Sequence, residues 1–389
     1  MCLQTNCPVC NTPVAEAFFV LTDVPVICNQ LWPDDDAARN APKGDVELCV
    51  CETCGFIWNR AFDPQRMQYA PGYENALHFS PKFQVFAEDL AEGLVERFGL
   101  HGKPIVEIGC GDGHMLDLMV QKGVASATGF DPSMKDVASP FTERDGVSIC
   151  PEYFGVQHLD QRFEAILCRH VLEHLDKPLK LAQDIRQVIG ERDVPIYFEV
   201  PNADWMLRAV SMWDVIYEHV GYWTAPSVTT LFERAGFEIV SVQEGYGDQF
   251  LMVEARPAAP DPTAVGPGVD AVVQSARSFG EAANAELKLW RSRLSADAGR
   301  TVIWGAGSKG ITFANALGSG ADTLAAMVDL NTRKHELIVP GIAVPVVAPE
   351  KLMEIEPDLV LISNTQYQAE IEQQVRDLGL QPDFAVIAG

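Results

Sequence analysis

The sequence predicts an α/β protein, in which two successive units of strands wound with helices follow a short cysteine-bearing segment. Three observations carry this. Short apolar runs alternate with helical patterns over 104–256, where PIVEIG, SATGFD, VSIC, FEAILCR, VPIYFEV, FEIVSVQEG and FLMVEA read as seven strands. A second alternation starts at TVIWGAGSKGITFANAL and continues through LAAMVDLN, VPVV and DLVLISN. Two CxxC pairs stand ahead of both. With 389 residues, the chain exceeds what one hydrophobic core supports, and more than one domain is expected.

From the N-terminus, the pairs are Cys7 with Cys10 and Cys51 with Cys54. Four thiolates close a tetrahedral sulfur site of the kind that holds a structural zinc. Their separation exceeds the usual ribbon spacing, so an insertion must loop out between the knuckles, and Cys49 is a substitute ligand. The start, MCLQTNCPVC, lacks the basic and apolar regions of a signal peptide, and no apolar run reaches spanning length. A cytoplasmic chain with reduced thiols is the expectation. A net charge of −25 repels phosphate backbones and anionic headgroups, which excludes nucleic acid and membrane surfaces as main partners. From Ser80 onward, Phe83, Phe86, Leu90, Leu94 and Phe98 recur at helical spacing behind a serine cap and a proline. Tyr69, Tyr73, Asn75 and His78 precede that helix on a polar loop, where they either line a site or cover one.

In EIGCGDG the strand ends at Ile108 and the turn carries Gly109, Gly111 and Gly113 before a helix near His114. Such a turn leaves backbone amides and open space at the carboxyl edge of a sheet, where doubly wound folds take their ligands. Asp131 in GFDPS ends the second strand, at the place of an acid that takes both hydroxyls of a ribose. The spacing is GxGxG rather than GxGxxG, which argues against a dinucleotide packed on the helix.

EIGCGDG with FDPS, CRHVLEHL and YFEVPN resembles the class I S-adenosylmethionine-dependent methyltransferases. CPVC and CETCGFIWN ahead of them, YEHVGYWT within and GAGSKG beyond resemble the three-part sugar C-methyltransferase family over nearly the whole chain. The resemblance implies a seven-stranded Rossmann-like core between a zinc-binding domain and a C-terminal Rossmann-like domain. Its limits are 1–68 for the zinc domain, 69–256 for the core, 257–270 for a linker opening PAAPDPTAVGPG, and 271–389 for the last domain. It places the methionine portion of the cofactor over Gly109 and Gly111 with Glu107 supporting the turn, the ribose on Asp131, adenine around Pro151 to Tyr153, and His170 beside the cofactor.

A sulfonium methyl needs no activation, so the protein must supply alignment and a nucleophile. If the nucleophile is carbon, a proton beside a carbonyl must leave first, and a base and an enolate-steadying group are required. His219 is nominated as base, Glu218 as its helper, and Tyr222 or Tyr217 as donor to the oxyanion. His174 and Tyr73 correspond to a further histidine and a substrate-facing tyrosine of the sugar family. The expected acceptor is a small polar molecule, most concretely a carbon beside a ketone of a nucleotide-linked sugar, acted on by a monomer or homo-oligomer. O- or N-methylation of another small metabolite is the alternative.

The second turn, GAGSKG, satisfies GxGxxG with Gly305, Gly307 and Gly310, and Asp329 follows as a ribose acid would. It supports a rival reading as an NAD-binding oxidoreductase, although residues 301–389 leave little room for a repeated half-sheet. Ser308 and Lys309 at the helix start could instead grip the diphosphate of a nucleotide sugar. A scaffold built on the zinc knuckles is the third reading.

Overall fold

The protein, described here as a computed structural model, is defined over residues 4–14, 16–67, 80–296 and 300–387. The N-terminal part contributes β1 (Phe19–Pro25), α1 (Asp35–Arg39), β2 (Lys43–Val50) and β3 (Ile57–Asn59). The insertion between the knuckles is therefore sheet, not loop. Helix α2 (Pro81–Phe98) leads into β4 (Pro104–Ile108), α3 (His114–Gln121), β5 (Ser126–Phe130), β6 (Val147–Cys150) and β7 (Ile166–Arg169). Then come α4 (Pro178–Ile189), β8 (Ile196–Pro201), α5 (Ala203–Arg208), β9 (Gly221–Tyr222), α6 (Ala225–Ala235), β10 (Phe237–Gly245) and β11 (Phe250–Pro257). Beyond lie α7 (Val269–Ala296), β12 (Thr301–Trp304), α8 (Ser308–Ala316), β13 (Leu324–Val328), β14 (Val346–Val347), α9 (Leu352–Ile355), β15 (Leu359–Ile362), α10 (Gln368–Asp377) and β16 (Asp383–Val386).

The seven expected strands form one sheet in the order β10-β11-β8-β7-β4-β5-β6. Strands β6, β5, β4, β7 and β8 run parallel, and β11 and β10 close the edge antiparallel. Reversal of strand order between β4 and β7 opens a crevice at their carboxyl ends. Helix α2 begins as its sequence predicts, with Ser80 Oγ accepting the Phe83 N–H and Pro81 in the first turn.

The C-terminal sheet runs β14-β13-β12-β15-β16, all parallel. It does cross over from β12 to β15, which corrects the expectation that too little chain remained for a second half. Room is found because β14 is only two residues long. The linker is not free either. Arg234 Nε donates to the Ala264 carbonyl at 3.0 Å, and Gly266 N–H to Thr230 Oγ1 at 2.9 Å, so residues 261–266 lie strapped along α6.

The N-terminal sheet is ordered β1-β2-β3-β9 and takes its last strand from beyond the seven-stranded core's parallel strands. Ile57 pairs with Tyr222 and Trp58 with Gly221. Asn59, fully buried, fixes the end of β3: its Oδ1 accepts the N–H groups of Glu47 and Ala61 at 2.9 and 3.0 Å, while its own N–H donates to the Val220 carbonyl. Around this seam Phe56 packs on Trp58 and Trp223, with centroids 6.1 and 4.4 Å away. Asn59→Ala strands two buried donors and is expected to cost about 1–3 kcal/mol, read as a lower denaturation midpoint in urea with an unchanged slope.

Candidate functional site

The two knuckles fold alike because each closes the same turn. Asn11 N–H donates to the Cys7 carbonyl at 2.8 Å and Gly55 N–H to the Cys51 carbonyl at 2.9 Å. Cys7 N–H reaches Thr12 and Cys51 N–H reaches Phe56, each at 2.9 Å. The turns bring all four sulfurs within 4.8 Å of one another. Hydrogen bonding with Cys10 pushes the Cys7 and Cys54 thiols up, as expected of four sulfurs that cannot all ionise without a cation among them. Cys49 lies outside the group, and burial raises its thiol to about 11.

At the carboxyl edge of the large sheet, Gly109 and Gly111 have φ of 69° and 52°. A Cβ on Gly109 would overlap Val171, whereas one on Gly111 would meet no heavy atom within 4 Å. This is a bare cradle, left-handed and open, of the kind only glycine supplies without strain. Asp131, just beyond β5, braces it: Oδ2 accepts the Gly111 N–H at 2.9 Å and Oδ1 accepts the Ser133 N–H and hydroxyl. Glu107 at the end of β4 is 2% exposed, and its Oε2 has no hydrogen-bond partner among the described residues. Burial pushes its carboxyl up to about 8. An orphaned buried carboxylate oxygen beside an open glycine cradle fits a cationic, polar ligand such as the methionine end of the cofactor. Tyr153, by contrast, is 77% exposed.

His170 follows β7 with a φ of 54°, a strained place for a side chain. Its ring lies between two buried carboxylates, Nε2 3.0 Å from Glu199 Oε1 and Nδ1 3.5 Å from Glu173 Oε1. Burial opposes its charge, yet Glu173 and Glu199 raise it to about 9. Glu199 is itself held by Arg169 at 2.9 Å and by the Tyr197 hydroxyl at 2.9 Å. Burial works against its ionisation too, and Arg169 and His170 outweigh it to bring the carboxyl down to about 2.

The nominated chemical residues divide. His219 and His174 meet edge to face with centroids 5.0 Å apart, and with Glu173 their ligand-type atoms lie within 4.8 Å of one another. His174 Nδ1 is 2.9 Å from the Glu218 carbonyl, which can only accept, so Nδ1 is the donor of that bond. Burial pushes His219 down to about 3, with His174 adding to the effect. Glu218 turns away from His219: its Oε2 accepts the N–H and S–H of Cys28 at 3.0 and 2.9 Å. Neighbours in a turn point to opposite sides, and the carboxylate actually beside His219 is Glu173.

Neither tyrosine is placed as an oxyanion donor. The Tyr222 hydroxyl donates to the Ile216 carbonyl at 3.0 Å and accepts the Ile216 N–H at 3.1 Å, closing the loop on itself. Tyr217, buried against Phe62, accepts the Asp63 N–H at 2.9 Å in the N-terminal part. Tyr69, Tyr73, Asn75 and His78 lie outside the described residues. Sequence reasoning missed Glu173 and Glu199, although both stood in the quoted strings CRHVLEHL and YFEVPN. An acid inside an apolar strand was the available signal.

The second turn repeats the first. Asp329 Oδ2 accepts the Ala306 N–H at 3.0 Å and Oδ1 the Asn331 N–H at 2.9 Å. Its carboxylate braces the turn as Asp131 does. Ser308 and Lys309 contact side chains of the other two parts of the chain, Asn29 and Asp214.

These features define a transferase that holds a nucleoside-type cofactor at the switch point of a seven-stranded sheet. The methyltransferase domain family matches residues 83–242, and the C-methyltransferase C-terminal domain family matches 278–381. The C-methyltransferase NovU of Streptomyces niveus is 28% identical over 372 residues, 89% of this chain and 86% of its own. The ubiquinone biosynthesis O-methyltransferase of Actinobacillus pleuropneumoniae is 29% identical over 114 residues, 27% of this chain and 48% of its own. Among solved structures, an S-adenosylmethionine-dependent methyltransferase from Mesorhizobium loti aligns at 18% identity over 44% of this chain and 99% of that one, with a TM-score of 0.35. The protein is an S-adenosylmethionine-dependent methyltransferase. Within that class it is related to the C-methyltransferases, over most of its length.

A titration consequence follows from His170. Because its folded value is raised from 6.5 to about 9, its stabilising contribution is complete below its ordinary value and is lost as pH rises through about 9. Melting temperature is expected to fall between pH 7 and pH 10, and this slope should flatten in His170→Asn.

Proposed function

We propose that the protein transfers a methyl group to a carbon beside a ketone on a small polar acceptor, most concretely a nucleotide-linked sugar, with His219 as the base. The observation that carries this reading is the grouping of His219, His174 and Glu173 on the turn that follows β7 and the segment that precedes β9. A carbon acid must lose its proton before it can attack, so it needs a base and a group that steadies the charge left behind. Similarity to a C-methyltransferase over 89% of the chain supports carbon as the nucleophile, and the resemblance to sugar enzymes supplies the acceptor class.

S-adenosylmethionine, when bound, supplies an activated methyl group. Gly109 and Gly111 offer it bare backbone, Glu107 an unpartnered oxygen that can accept from its amino end, and Asp131 a braced turn. Burial keeps His219 neutral, so a ring nitrogen holds a free lone pair, and makes the proton it takes up a transient one. Glu173 is lowered despite its burial, chiefly through its hydrogen bond with His170, and it can steady the imidazolium that forms on His219. Glu173 takes the helper's role that the sequence suggested for Glu218.

The test is wash-in of solvent deuterium at the acceptor carbon of candidate keto-sugar nucleotides, with S-adenosylhomocysteine present. His219→Asn is expected to lower exchange and methyl transfer by about 10²–10⁴-fold, the range for a general base, while cofactor binding by calorimetry is retained. Full methyl transfer without exchange in the wild type would move the nucleophile from carbon to oxygen or nitrogen.

For the four sulfurs of Cys7, Cys10, Cys51 and Cys54 we propose zinc, since a closed tetrahedral thiolate set suits that ion and leaves no open position for catalysis. Elemental analysis should find one zinc per chain. Cys54→Ser is expected to lose it and to melt at a distinctly lower temperature, and a variant that keeps its melting temperature would remove the structural role.

A further inference from the structure

GAGSKG is the motif that the cofactor and base readings leave without a task. Lys309 stands in the first turn of α8, where the positive end of the helix dipole disfavours a cation. It is held there by Asp214, with Nζ 2.8 Å from Oδ2 and side chains 17% and 24% exposed. Its ammonium also lies 4.7 Å from the centroid of the Trp205 ring. Asp214 Oδ2 receives the Ser211 hydroxyl at 2.7 Å in addition. Between those two residues, Trp213 donates its indole N–H to the Ile387 carbonyl and meets the Phe313 ring edge-on at 4.7 Å.

Ser308, the neighbour of Lys309, accepts from Asn29 Nδ2 at 3.0 Å. Asn29 adjoins Cys28, which donates its N–H and S–H to Glu218. Two adjacent residues of the glycine turn thus reach both flanks of the segment 211–219: Asp214 directly, and Glu218 through Asn29 and Cys28. His219 ends that segment.

We infer that Lys309 is a positioning residue for methyl transfer, clasping Asp214 so that the C-terminal domain holds the segment carrying His219 in the acceptor site. The inference rests on the reading of His219 as base. The polar side chains of this turn serve the clasp.

The experiment uses the full chain with S-adenosylhomocysteine bound and compares Lys309→Met, Lys309→Arg and Asp214→Asn with the wild type. Cofactor affinity by calorimetry certifies the fold. Amide exchange is read at Asp214, Val215 and His219, whose N–H groups are bonded to Ser211, Met212 and Ile216 within the segment. The His219 imidazole ¹⁵N signals are read alongside. Lys309→Met is expected to speed exchange at these amides about tenfold or more, as the loss of a charged hydrogen bond implies, and to move the His219 signals. Lys309→Arg should restore both. Unchanged exchange in Lys309→Met and Asp214→Asn overturns the clasp. So does faster exchange with unmoved His219 signals, because the effect then stops short of the imidazole. If Lys309→Met fails to bind cofactor, Asp214→Asn decides by the same readouts. Failure of the base reading is seen separately: deuterium wash-in that survives His219→Asn removes it and leaves the exchange result standing.

Discussion

The pairing of β3 with β9 is the constraint on which the rest of the site depends. Val220 is bonded on both sides: its carbonyl accepts the Asn59 N–H at 2.9 Å, and its N–H donates to the Glu173 carbonyl at 2.7 Å. One peptide therefore ties the N-terminal sheet to the turn after β7, and His219 precedes it directly. Backbone hydrogen bonds of this kind specify position without regard to side chain. They bring His219 against the adjacent Glu173 and His174, although residues 175–218 of the chain separate the two stretches. The sulfur cluster acts at a distance through the same route, because Cys51 and Cys54 set the turn from which β3 departs.

Around that seam the interior holds an unusual density of charge. Glu199 and Glu173 are buried with His170 between them, and Arg169 pairs with Glu199 from a side chain only 10% exposed. Buried ion pairs contribute little net stability, since desolvation offsets attraction, but they resist the removal of either partner. The arrangement fixes protonation states: Glu199 and Glu173 are anionic, His170 is cationic, and His219 is neutral. A methyl donor that carries positive charge needs such a prearranged field rather than mobile water.

Much of this was legible in the chain because the relevant signals are local. Strand alternation, the glycine turn, the cap at Ser80 and the CxxC spacing are all set by residues within a few positions of one another, and the structure has each where its pattern lies. Glu107, Gly109, Gly111 and Asp131 could be grouped from the sequence because one turn and the strands beside it hold all four. What the sequence hid depends on side-chain direction and on long-range pairing. Glu218 and Tyr217 adjoin His219 in sequence, yet they face Cys28 and Asp63. The pairing of β3 with β9 leaves no periodic trace in a strand of two residues. The second glycine turn matched a dinucleotide fingerprint through its backbone, whereas the contacts of Ser308 and Lys309 depend on domains elsewhere in the chain.

The strap of residues 261–266 along α6 bears on how such chains can be assembled in evolution. Three parts that look like beads on a string suggest that any one could be exchanged for another by recombination at the joins. Here the joins are not neutral ground. The segment after β11 is fastened to Thr230 and Arg234 of the preceding unit, and the first unit borrows its outer strand from the second. A crossover at residue 257 would bring in a strap unmatched to α6, and one at residue 68 would separate β3 from β9. The parts must change together, so a new acceptor preference is more readily reached by substitution within a fixed three-part frame than by exchange of a whole part.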